Sequence, residues 1–138
     1  MGKPKSSLEI ICLSNFCQKT LTTELNAYWR TGDMKSTLLE VEIDRVSGQI
    51  IGVSLILPGK VRRDFPELDS ANLPKTDGYP IVDLSEWLDN RIKDDPGALH
   101  VFIDSSRLLI TLTTSLAATK TISADGATFG VDRNNSIV

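Results

Sequence analysis

The sequence predicts an α+β domain, an antiparallel β-sheet built of hairpins and packed against one main amphipathic helix at 83–94. Three observations predict it. Leu39, Val41 and Ile43 alternate with Glu40, Glu42 and Asp44, and after a turn Ile51, Val53, Leu55 and Leu57 repeat the alternation. That is the two-residue period of strands with one buried face. Leu99, Val101 and Ile103, then Leu108, Ile110 and Leu112, form a second hairpin about Ser105-Ser106. Between the hairpins, Asp83 and Glu86 have the spacing of a capping box. Leu84, Trp87, Leu88, Arg91 and Ile92 then mark one helical stripe, stopped by Asp95-Pro96-Gly97.

At 138 residues the chain is one domain, long enough to bury a core without disulfides or metals. No apolar run approaches the roughly 18 residues of a membrane helix, and no apolar signal core follows the charged N-terminus, so a cytoplasmic protein without membrane contact is expected. Residues 1–6 read as a disordered tail. Cys12 and Cys17, with a single histidine in the chain, make a poor metal set and read as buried thiols. No cofactor is expected.

Net charge is −3, and its distribution is uneven. Residues 1–63 hold nine Lys/Arg against six Asp/Glu, residues 64–104 three against ten, and residues 105–138 three against two. The acidity sits in the middle third. Phosphate recognition needs clustered positive charge, so nucleic acid is excluded as a direct partner and a basic protein favoured.

Taken in order, Ser7–Leu13 alternates Leu8, Ile10 and Cys12 and predicts a first strand. Gln18–Arg30 fits both a strand, with Leu21, Thr23, Leu25, Ala27 and Trp29 on one side, and a helical stripe through Cys17, Leu21, Leu25 and Tyr28. The threonines and aromatics favour the strand. Thr31-Gly32-Asp33 turns into the central hairpin. There Asp44 can fold its carboxylate onto the N–H groups of the turn, and Gly48 can take the positive φ a bulged loop needs. From Pro58 to Pro80 four prolines and the lack of alternation predict a long irregular loop. Phe102, on the polar side of its strand, predicts that strand to be covered on both faces. Lys120–Ser123 and Ala127–Val131 close the order around Asp125-Gly126. Ile43-Asp44, Ile103-Asp104 and Val131-Asp132 each place an Asp after a β-branched residue at a strand end, a recurrence that turn chemistry explains.

Few residues invite catalysis. His100, Asp104 and Ser105 are nominal triad members, but positions i and i+4 on one strand stand about 13 Å apart. The three turn aspartates could be imagined around a metal ion, yet Asp is also the best residue for that corner. Phosphate loops, zinc-helix motifs and nucleophile elbows do not occur.

In its Glu-Val-Glu-Ile-Asp-Arg-Val-Ser-Gly-Gln-Ile-Ile-Gly hairpin, its Asp-Leu-Ser-Glu-Trp-Leu helix start and its acidic middle third, the chain resembles small bacterial immunity proteins that neutralise secreted toxins. The resemblance implies a stoichiometric, non-catalytic inhibitor whose acidic surface masks a basic toxin, often a nuclease. The contacts it points to are Asp64, Glu67 and Asp69 in the loop, with Glu86, Asp89, Asp94 and Asp95 around the helix. Two alternatives stand beside it. One is a small hydrolytic or metal-dependent enzyme using His100 or the turn aspartates, the other a self-associating module joined through exposed edge strands.

Overall fold

The computed structural model describes residues 10–14, 26–66, 72–87, 90–112, 118–124, 126–134 and 136–138, with the backbone alone at 10–14 and at Glu86. These residues form twelve strands: β1 (Ile10–Ser14), β2 (Ala27–Gly32), β3 (Thr37–Ile43), β4 (Ile50–Pro58), β5 (Val61–Arg62), β6 (Lys75–Asp77), β7 (Tyr79–Val82), β8 (Ile92–Pro96), β9 (Leu99–Ile103), β10 (Leu108–Leu112), β11 (Lys120–Ala124) and β12 (Ala127–Val131). They pair as a four-stranded sheet in the order β4-β3-β2-β8, two three-stranded sheets, β10-β9-β5 and β12-β11-β6, and the pair β1-β7.

The fold is therefore essentially all-β, and the predicted α+β class is corrected. Where a helix was expected at 83–94 there is a single 3-10 turn, Ser85–Trp87, followed by strand β8. Asp83 does cap that turn, accepting from the Ser85 N–H at 2.9 Å. The amphipathic stripe then loses to tertiary pairing. β2 has an open edge, and its N–H and C=O groups are satisfied when Ile92–Pro96 runs parallel to it, Tyr28 beside Ile92 and Thr31 beside Asp95. Asp95 precedes Pro96, a position that disfavours helix, and Ile92 is β-branched, so the local propensity yields easily. Trp87 is buried as an anchor, but Ile92, expected in the core, is 51% exposed.

The core lies under the main sheet. Ala27, Trp29, Leu39, Val41, Ile43 and Ile50 turn one face inward against Val82, Trp87 and Leu99, with Leu55, Ile110, Leu112 and Phe129 packed at its margins. Trp29 and Ile43 are fully enclosed. Burial of side chains this large stabilises by roughly 1.5–3 kcal/mol each, which is why the alternation in β2 and β3 decides the register. Two further corrections concern this core. Ile51 and Val53 are 44% and 45% exposed, because β4 is an edge strand beyond the reach of the covering strands, and Leu108 is exposed at the start of β10. The register of β4 against β3 also shifts twice, leaving Ile51 and Ile56 as the extra residues of two β-bulges.

The expected loop at 58–80 contains β5, β6 and the start of β7, and residues 67–71 lie outside the described part. Short strands of two or three residues carry too little alternation to be read from a sequence. β5 and β6 pair parallel to β9 and β11. The second hairpin, β9-β10, and β11-β12 stand as predicted, and Phe102 is buried beneath the Arg62 guanidinium, 5.1 Å from the ring centre. Ser136–Val138 return along β12, Ile137 bridging to Val131. Residues 1–9 and Cys17, and the side chain of Cys12, fall outside the described part. No helix among the described residues is long and apolar enough to cross a membrane.

The turns share one device. Asp44 accepts from the N–H groups of Val46 and Ser47, Asp104 from Ser106 and Arg107, and Asp132 from Asn134 and Ser136. Asp33 does the same for Lys35, Ser36 and Thr37. Gly48 adopts φ 78°, as the hairpin required. Such bonds favour the ionised carboxylate. The Ser36 hydroxyl, with the loop N–H groups, holds the Asp33 carboxyl far below its usual range, and the Ser106 N–H with the Arg107 guanidinium lowers that of Asp104. A depressed folded-state pKa stabilises above the unfolded value and is lost as pH falls through the folded one. Urea midpoints are therefore expected to be flat above pH ~5 and to drop below the ordinary aspartate range near pH 4, with a shallower drop in Asp33→Asn. An acid limb identical in that variant would remove Asp33 from the account.

Candidate functional site

Because Ala27, Trp29 and Thr31 point inward, Tyr28 and Arg30 point out. The same parity turns out Glu40 and Glu42 on β3 and Ile92 and Asp94 on β8. Cross-strand register arranges them in two rows over the sheet. One runs Ser54, Glu40, Arg30, Asp94, and the other Gly52, Glu42, Tyr28, Ile92. Neighbours in a row are close enough to interact directly.

Arg30 grips Asp94 with two parallel bonds, Nε to Oδ1 at 2.6 Å and Nη2 to Oδ2 at 2.9 Å. This pair is partly solvated and contributes about 0.5–1 kcal/mol, so its use is orientation more than stability. Glu42 accepts from Asn26 Nδ2 at 2.6 Å and from the Tyr28 hydroxyl at 3.4 Å, through the same oxygen, Oε1. Partial desolvation, then the charges of Glu42 and Glu40, push the Tyr28 phenol up from its usual pKa, against the opposing pull of Arg91. Glu40 and Glu42 therefore flank Tyr28 on the β3 side, with Arg30 and Arg91 as the cations of the same face. Tyr28, Asn90, Arg91 and Ile92 line a shallow hollow of about 420 Å³ at the end of this face.

The residues singled out from the sequence divide. Asp94 lies in this face. Asp95, one residue on, is corrected from a contact to a core residue: strand alternation turns it inward, where it is 7% exposed and accepts the Trp29 Nε1–H at 2.6 Å. Asp64 stands beside a different sheet, exposed and paired with Arg62 Nη2 at 2.6 Å. Glu67, Asp69 and Asp89 lie outside the described residues, and of Glu86 only the backbone, in the 3-10 turn, is described. The structure thus brings Asp94 to Glu40 and Glu42, not to Asp64. Tyr28, Arg30, Glu40, Glu42 and Ile92 were missed as a group. Alternation already placed the first four on outward positions, but only the β2–β8 pairing unites them with Asp94.

The groups an enzyme reading would use are not assembled. His100 is exposed on β9, while Asp104 is engaged by Ser106, Arg107 and the Arg107 guanidinium of its own turn. Asp44, Asp104 and Asp132 each direct an oxygen to their own loop, and no group of three His, Cys, Asp or Glu suited to a metal ion occurs among the described residues. No protein-family model matches the chain, and no curated protein is significantly similar to it.

Proposed function

We propose that this is a non-catalytic binding protein that captures a basic protein, and that the outer face of β2, β3 and β8 is where it does so. The observation that carries the reading is the convergence of Glu40, Glu42 and Asp94 on the face that holds a half-buried Tyr28 and an exposed Ile92. A rigid aromatic beside an aliphatic side chain, ringed by charge, is the composition of binding hot spots, and the sheet holds it without mobile loops. Negative potential on the face would steer a cationic partner and exclude acidic ones. The resemblance to immunity proteins supplies the partner class: a secreted toxin, such as a nuclease, whose basic active site is masked one to one. Of the features behind that resemblance the hairpin stands and the helix does not.

Tagged wild-type protein should retain a basic partner from its native cell, and Tyr28→Ala with Glu40→Lys should weaken capture by about 10- to 100-fold, in line with the loss of one hot spot and one steering charge. The melting temperature should stay within a few degrees, since all substituted atoms are outside the core. Capture at wild-type strength by the double variant would count decisively against this face.

A further inference from the structure

The two edges of the main sheet differ. β8 carries Lys93, Asp94, Asp95 and Pro96, the residue types that keep an edge from pairing with another chain. β4 carries no charged residue over Ile50–Pro58, and among the described residues nothing pairs with it beyond β3. Only Gln49, just ahead of it, bridges to Ile81. Ile51, Val53 and Ile56 on this strand are each nearly half exposed, and Val61 follows them. Unpaired backbone groups beside uncharged β-branched residues recruit an extended strand.

We propose that the occupant is the β4 edge of a second copy, added antiparallel about a two-fold axis near Leu55. An uncharged strand can face itself with no like charges opposed, so the pairing is self-complementary. The ends of the edge are complementary as well. A methyl group built on Gly52 would sit 3.3 Å from Glu42 Oε2, so this carboxylate oxygen lies over the outer face of β4 near one end of the edge. Lys60 is exposed just past Pro58 at the other end. A two-fold pairing about Leu55 sets Gly52 of one copy against Pro58 of the other and brings Lys60 toward the second copy's Glu42, twice. The bulges at Ile51 and Ile56 interrupt the regular strand, the second only one residue from the axis, which limits the contact and makes a weak, concentration-dependent dimer the expected form. This inference does not rest on the partner face, with which it shares only Glu42, and its test residues Val53 and Lys60 lie outside that face.

Sedimentation velocity of the full chain, from micromolar to millimolar concentration, tests it. Wild type should shift from monomer to dimer, and Val53→Lys should stay monomeric throughout with an unchanged melting temperature. Lys60→Glu, at a site that cannot disturb the fold, should weaken association by about tenfold, and added salt should weaken the wild-type dimer. A wild-type chain that is monomeric at every concentration overturns the proposal. So does a dimer indifferent to both substitutions.

Discussion

Replacing Asp95 by alanine is expected to lower the unfolding free energy by about 2–4 kcal/mol. Its carboxylate is the acceptor for the Trp29 indole N–H, buried at 2.6 Å, on the inner face of the main sheet where β8 joins β2. Alanine leaves that donor inside the protein with no partner and opens a cavity beside the largest core side chain. Lys93 Nζ, 3.9 Å from the same oxygen, loses its counter-charge as well. Asparagine keeps an oxygen where the indole needs one, so Asp95→Asn should cost about 1 kcal/mol, mainly the charge assistance. For a domain of this size the alanine variant should melt roughly 6–15 °C lower. The check is urea unfolding followed by tryptophan fluorescence. Equal stability of wild type and Asp95→Ala would mean the indole bond holds nothing together.

Gly48→Ala should be nearly as damaging, at about 2–4 kcal/mol. Gly48 has φ 78°, and its amide N–H donates to the Asp44 carbonyl while its own carbonyl accepts from Val82 N–H at 2.7 Å. A methyl group there would sit 2.5 Å from the Val82 carbonyl oxygen, a backbone atom that cannot swing away. The substitution combines left-handed strain with the parting of β7 from the central hairpin. Gly126 separates the two effects, since it has φ 82° but meets nothing within 4 Å of an added methyl. Gly126→Ala should therefore cost only about 1 kcal/mol, the conformational part alone. If the two variants melt together, the contact with Val82 is not what makes Gly48 necessary.

How far the sequence could be read depended on whether the deciding partner was near in the chain. Turns and hairpins were legible because Asp44, Gly48, Asp104 and Asp132 act on residues two to four positions away. The inward set Leu39, Val41 and Ile43 was legible because a strand's parity needs no partner to be seen. The stretch 83–94 misled because its helical stripe is a local pattern, whereas the strand it became is decided by an open edge on β2. Ile51 and Val53 misled for a related reason: alternation marks a face as apolar without saying that anything covers it. The candidate site fared likewise. Outward positions on β2 and β3 could be read one strand at a time, but the rows that join them to Asp94 are a property of pairing between distant segments. Asp95 was placed on the wrong side because, in a helix, two successive acids can both face water, and in a strand they cannot.

The bond between Trp29 and Asp95 joins residues 66 apart, across a parallel pairing. A ribosome releases the chain from its N-terminal end, so β2 emerges with β3 and β4 while its other neighbour is still to come. Through that interval the indole lacks its acceptor and one flank of the nascent hairpin stays open to other chains. Contacts this distant in sequence also form slowly once the chain is free, which gives the interval a duration. The moment of greatest exposure for this protein thus falls before synthesis ends, and it closes when Asp95 clears the exit tunnel.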